Sequence, residues 1–70
     1  NKPMKYIYIM AAWENAQQTH PAIHTFTSKS MAIAVAKNCR DEMHFEEVLI
    51  RRDLMNSPIG WNSVGEFVKF

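Results

Sequence analysis

Residues 27–43 form the longest stretch of this chain that keeps a single hydrophobic period. Its apolar side chains recur at the i, i+3, i+4, i+7 spacing of one helical face. These residues are Met31, Ala32, Val35, Ala36, Cys39 and Met43. Thr27 or Ser28 can cap the first turn by accepting a hydrogen bond from a free backbone amide. The stretch therefore predicts an amphipathic helix, whose apolar face must be covered by the rest of the chain.

Three segments rich in β-branched and aromatic residues surround this helix and predict strands. They are residues 5–13, 22–27 and 47–53. The polar segment 14–21 ends in a proline and predicts a loop, so the first two strands should pair as an antiparallel hairpin. The predicted fold class is α+β, in ββαβ order, with one helix packed on one face of a small antiparallel sheet. The sheet has three strands, or four if the tail joins it.

The tail, residues 63–70, fits two structures. Ser63 and Glu66 have the spacing of a capping box, which favours a short helix. Alternating apolar residues in the same segment favour an edge strand or extended segment, which is the interpretation we prefer.

The length of 70 residues predicts one small domain, covering residues 4–70. We interpret residues 1–3, which precede Met4, as residues left by cloning. Lysine and arginine number 8 against 7 aspartates and glutamates, and the two counts balance at 7 when Lys2 is left out. This near-neutral charge disfavours a strongly basic nucleic-acid clamp.

The chain has one cysteine, Cys39, which cannot form an internal disulfide and fits a reducing compartment. No stretch approaches the roughly 18 apolar residues that a membrane span needs, and no signal peptide is visible. We therefore predict a cytoplasmic protein that does not bind membranes.

The residue types that could carry catalysis or bind a metal are scattered. A structural zinc site needs four converging ligands, usually in short paired spacings, whereas the candidates His20, His24, Cys39 and His44 show no such pairing. The helical phase of Cys39 places it on the inner face, where a thiol behaves as a small inert hydrophobe. The two glycines cannot form a phosphate-binding loop. The sequence thus predicts a protein without enzymatic activity, metal or other cofactor. An enzyme is left as an alternative only if residues from two chains build a shared site.

One helix covers only one side of such a sheet, and Val48 and Ile50 can face it. The far side should then expose some of seven residues: Tyr6, Tyr8, Met10, His24, Phe26, Leu49 and Arg51. Aromatic side chains beside arginine are typical of protein interfaces and of single-stranded nucleic-acid platforms. Alternatively, the tail, with its aromatic residues Trp61, Phe67 and Phe70, folds across this side and buries it.

Arg51 and Arg52 are adjacent on a predicted strand, so their side chains should point to opposite faces. Each can pair with a carboxylate of this chain or of a partner.

The layout resembles small bacteriophage proteins that bind and disable host machinery, such as phage inhibitors of the host RNA polymerase. The resemblance spans residues 4–53 and consists of a hairpin ending in Thr27-Ser28, an alanine-rich helix, a turn with Phe45-Glu46, and an arginine-bearing strand. It implies a ββαβ fold and a host protein or complex as the partner.

We therefore predict a small protein-binding factor, with a phage-encoded inhibitor or modulator of a bacterial host complex as its specific form. The predicted partner-binding residues are Tyr6, Tyr8, His24, Arg51, Arg52 and Trp61. The alternative is a small nucleic-acid-binding module that uses the aromatics and arginines of the sheet face. Unpaired strand edges and an apolar second face also allow a homodimer.

Overall fold

The computed structural model describes residues 5–54 and 65–70. Their elements, in chain order, are β1 (Tyr6–Trp13), β2 (Ala22–Phe26), α1 (Lys29–Lys37), a π-helical segment (Asn38–Glu42), β3 (Glu47–Leu54) and β4 (Glu66–Phe67). The strands form one antiparallel sheet in the order β2-β1-β3-β4. The predicted α+β class and ββαβ order are confirmed, and the tail contributes the short fourth strand.

The start of α1 is fixed by a side-chain cap. The Ser28 hydroxyl accepts a hydrogen bond from the backbone N–H of Met31 at 3.3 Å, and the Ser28 carbonyl accepts one from Ala32 at 3.1 Å. Of the two predicted caps, Ser28 is therefore the one used. After Lys37 the backbone widens into the π-helical segment, so the predicted single helix consists of two parts.

The core lies between α1 and one face of the sheet. Ala32 and Ala36 are completely buried, and beneath them Met10 and Ile50 are each 1% exposed. The other buried apolar residues of this cluster are Tyr8, Ala12, Cys39 and Val48. Two alanines at the contact bring the helix backbone close to the strands, so large side chains are needed only from the sheet.

The prediction that Met31 and Met43 lie on the inner face of the helix is wrong. Met31 is 57% exposed and Met43 is 55% exposed. The contact centres on Ala32 and Ala36, and at about 100° per residue Met31 is rotated roughly 120° away from that centre. Ile33 and Val35 flank the centre on either side and are half-buried. Met43 follows the π-helical segment, whose wider turn breaks the 3.6-residue phase.

His44 ends the helical region in a left-handed conformation, with φ of 56°. Immediately before it, the N–H of Met43 donates to the carbonyl of Asn38 at 3.0 Å. Immediately after it, the N–H of Phe45 donates to the carbonyl of Cys39 at 2.9 Å. This pattern is how helices commonly terminate, although glycine is the usual residue at the left-handed position.

Replacing His44 by glycine should stabilise the fold. Relief of the left-handed strain outweighs the extra flexibility of glycine in the unfolded chain, for a net gain of about 0.5–1 kcal/mol in the free energy of unfolding. Urea denaturation of His44→Gly, with His44→Ala as the control, measures this. The alanine variant should show no gain, and an equal gain in both variants would contradict a backbone origin.

In the described part of the chain, no helix is long and apolar enough to cross a membrane.

Candidate functional site

The strand register divides the sheet's side chains between two faces. Met10 lies opposite His24 on one neighbour and Ile50 on the other, and this face, here called the covered face, carries the helix. The opposite face, here called the open face, receives the alternate residues of the strands. They are Ile7, Ile9, Ala11, Trp13, Ile23, Thr25, Glu47, Leu49, Arg51, Asp53 and Phe67.

The predicted assignment of β1 to the two faces is wrong. Five residues expected on the far side, namely Tyr6, Tyr8, Met10, His24 and Phe26, lie on the covered face. Leu49 and Arg51 do lie on the open face, as predicted. The strand β1 is apolar on both faces, so its own pattern cannot decide between them. The pairing register with β3 decides which face of β1 is covered, because Val48 and Ile50 of the covered face pair with Ala12 and Met10.

An apolar groove of about 370 Å³ crosses the open face. The strands contribute Ile9, Ala11, Trp13, Ile23, Leu49, Arg51 and Phe67, and the loop between β1 and β2 contributes Thr19, His20 and Pro21. Ile23 is 53% exposed and Phe67 is 70% exposed. The groove is therefore an accessible concave surface, of a size that accommodates one or two large side chains.

One wall of the groove is a loop held in place by side-chain hydrogen bonds. Asn15 Oδ1 accepts from the N–H of Gln17 at 3.1 Å, as in an Asx turn. Gln18 Oε1 accepts from the N–H of Glu14 at 2.8 Å, and Gln18 Nε2 donates to the carbonyl of His20 at 2.8 Å. The amide of Gln18 thus ties the base of the loop to the residues that line the groove.

Arg51, which lines the groove, forms an ion pair with Asp53. Arg51 Nε donates a hydrogen bond to Asp53 Oδ2 at 3.0 Å, and Arg51 Nη2 lies 2.9 Å from the same oxygen. The Asp53 side chain is 4% exposed and the Arg51 side chain 21%. Gly65 packs directly over this pair, and a Cβ atom there would overlap both side chains. Arg51 is therefore a structural residue of the open face, with its charge already balanced.

Arg52 projects from the opposite face, as predicted from its position beside Arg51. Its guanidinium lies 4.3 Å from the ring centroid of Tyr6, and its Nη2 is 2.6 Å from Glu66 Oε2. These contacts fasten β4 to β3 and to the start of β1. The charge of Arg52 is thus also balanced within the chain.

Arg40 is the third arginine and is likewise engaged. It pairs with Asp41 at 2.8 Å, donates to the Phe70 carbonyl at 2.7 Å and lies 4.9 Å from the centroid of the Phe70 ring. The hydrogen bond from Arg40 lowers the pKa of Asp41, and the same bond raises the pKa of Arg40. Both side chains are exposed, and the cluster attaches the tail to the π-helical segment.

The structure does not bring the predicted partner-binding residues together on one surface. Tyr8 is 9% exposed within the core, and His24 is exposed on the covered-face side of β2. Tyr6 and Arg52 lie together on the covered face, apart from Arg51, and Trp61 lies outside the described residues. Sequence reasoning missed Trp13, Ile23 and Phe67 as a shared surface, although Ile23 and Trp13 stood out as large apolar residues at strand positions.

Three glutamates without a cation partner in the described part of the chain lie at the Trp13 end of the sheet. Glu47 lies directly opposite Trp13 in the β1–β3 register. The N–H of Glu46 donates to the carbonyl of Glu14 at 3.3 Å, which brings these two residues side by side. All three glutamates are exposed, and none pairs with a cation among residues 5–54 and 65–70. Glu47 therefore places a carboxylate on the open face next to Trp13, and Glu14 and Glu46 lie nearby at the same end of the sheet.

Within the described ranges, no three histidine, cysteine, aspartate or glutamate side chains are grouped so that they could hold a metal ion. Cys39 is a buried free thiol, as its helical phase predicted.

Comparisons of the chain with protein-family models, with curated proteins and with solved structures found no match. The open-face groove and the distribution of charge around it are therefore the observations that bear on function.

Because Asp53 is more deeply buried than Arg51, we expect the loss of Arg51 to destabilise the fold more than the loss of Asp53. Arg51→Met leaves the Asp53 carboxylate buried without a partner and should lower the free energy of unfolding by roughly 3 kcal/mol. Asp53→Leu leaves a cation that can reach solvent, so it should cost about 1 kcal/mol. Denaturation of both variants, and of the double variant, measures this.

The double variant Arg51→Met/Asp53→Leu should return to within about 1 kcal/mol of the parent protein, because both buried charges are removed together. If the two single variants lose equal free energies of unfolding, and the double variant loses their sum, the two side chains are not energetically coupled.

Proposed function

We propose that this protein is a small non-enzymatic binding factor whose open-face groove docks onto another protein. The observation that supports this most directly is the groove itself, an accessible apolar surface that carries Trp13 at one end and Phe67 at the other. Aromatic side chains in concave apolar surfaces are the residues that most often dominate protein–protein binding energy.

A second observation favours a protein as the partner. The outer strand β2 exposes four of its five residues, and Phe26 is half-buried. It contains no charged residue and no proline, the devices that usually protect an edge strand from pairing with another chain. Ile23 of this strand also lines the groove. A partner segment can therefore use the strand edge and the groove at once.

The more specific form of this proposal comes from the resemblance in layout to small bacteriophage inhibitors. In that form, the partner is a bacterial host protein or complex and the chain is a phage-encoded inhibitor or modulator that acts in the cytoplasm. The ββαβ order is common to both, and in residues 5–54 and 65–70 no helix covers the open face of the sheet.

Removal of the exposed apolar side chains of the groove should abolish partner binding. The double variant Ile23→Ser/Phe67→Ser is compared with the wild-type protein and with Met31→Ser/Met43→Ser, which removes two side chains of similar exposure from the helical layer. Each protein is immobilised and exposed to bacterial lysate, and retained proteins are quantified by mass spectrometry.

A specific partner should be retained by the wild type and by the methionine variant. Its retention by the groove variant should fall at least about ten-fold, because hot-spot side chains contribute about 2 kcal/mol or more. Circular dichroism and urea denaturation establish that both variants are folded. Equal retention by all three proteins would place binding elsewhere on the molecule.

The alternative, a nucleic-acid-binding module, draws support from Trp13, His20 and Phe67, which line the same groove. However, the arginine that lines the groove, Arg51, is already paired with Asp53, and the carboxylate of Glu47 lies on the same face. We therefore expect no change in the Trp13 indole N–H resonance when single-stranded oligothymidylate is added at low salt. A shift that weakens steeply as salt rises would instead favour nucleic acid as the partner.

A further inference from the structure

We propose that the groove recognises a partner segment in which a large apolar side chain stands next to a lysine or arginine. This inference rests on the proposed docking function and names the chemistry of the partner. It follows from the size of the groove and from a neighbouring carboxylate that has no cation partner among the described residues.

The distribution of charge in the chain indicates that the partner segment is positively charged. Its three arginines are all paired internally, Arg40 with Asp41, Arg51 with Asp53, and Arg52 with Glu66. The sequence over residues 13–26 and 43–50, which forms the Trp13 end of the sheet and the adjoining loops, contains no lysine or arginine. It contributes Glu14, Glu46 and Glu47 instead.

The position of Glu47 connects this charge to the groove. Glu47 is the cross-strand neighbour of Trp13 and lies two residues before Leu49, and both of these residues line the groove. Facing residues on one side of an antiparallel pair have Cβ atoms about 5 Å apart. A partner cation over Glu47 therefore lies within one side-chain length of an apolar group seated between Trp13 and Leu49.

A second copy of this chain fits the open face less well. Strands of 8, 5, 8 and 2 residues occupy roughly 16 Å² per residue, so two open faces in contact cover roughly 740 Å² in total. Obligate homodimers bury about 2,000 Å² or more. The groove, at about 370 Å³, has instead the dimensions of one or two inserted side chains.

Two short acetylated peptides with the same central leucine pair test this inference. One carries arginines beside the leucines and the other carries glutamates. Each is titrated into ¹⁵N-labelled full-length protein, and the Trp13 indole N–H, assigned with the Trp13→Phe variant, is followed with the backbone amides of β1, β2 and β3. The arginine peptide should shift Trp13, Leu49 and Ile23, and it should bind at least about five-fold more tightly than the glutamate peptide.

Charge reversal identifies the residue responsible. Glu47→Lys should weaken binding of the arginine peptide about five-fold or more and strengthen binding of the glutamate peptide. The matched control is Glu42→Lys, which reverses an exposed carboxylate on the π-helical segment that is also unpaired among the described residues. This control should leave both affinities within about two-fold of the wild type.

Equal affinity for the two peptides, or shifts confined to the helical layer, would overturn the inference. So would concentration-dependent shifts of the groove resonances without peptide, because they would assign the open face to a second copy. If neither peptide binds but retention of a lysate protein still depends on Ile23 and Phe67, the inference fails and the docking function stands. If that retention is also independent of Ile23 and Phe67, the docking function fails as well.

Discussion

The contact between two alanines and two strands determines how the whole sheet is used. Ala32 and Ala36 are completely buried against the face that presents Met10 and Ile50. Because alanine has almost no side chain, the helix comes close to the sheet and the core consists mainly of strand residues. Once this face of β1 is occupied, its equally apolar other face has no helical cover among the described residues. The open-face groove is a direct consequence of this asymmetry.

Two ion pairs that involve neighbouring arginines of β3 lie where the tail joins the same sheet. The pair Arg51–Asp53 lies on the open face beneath Gly65, and Arg52 holds Glu66 on the covered face. Two adjacent arginines thus attach the tail from both sides of one strand. A buried pair of this kind adds little net stability compared with apolar side chains. The tail packs over it at Gly65, where a Cβ atom would overlap both side chains. Arginines that would be obvious binding residues on a free strand therefore have a structural role here.

Much of the fold could be predicted from the sequence, because it depends on local signals. The spacing of Ala32 and Ala36, the cap at Ser28 and the composition of the three long strands are each evident within a few residues. The assignment of the two faces of β1 could not be predicted, since it depends on the register with β3, more than thirty residues away. The contribution of Thr19–Pro21 to the groove was equally hidden, because it depends on the hydrogen bonds of Gln18. The candidate site combines these two non-local features.

The tail belongs to both layers of the molecule. Phe67 lines the groove, whereas its neighbour Val68 donates its N–H to the Ile50 carbonyl at 2.9 Å and packs against the core on the other side. Three residues along from Phe67, Phe70 is held by Arg40 at the end of the helical region. The groove wall formed by Phe67 is therefore next in sequence to a residue that packs against the core. A molecule seated against Phe67 would lie beside the short segment through which the tail connects the sheet to the helical region.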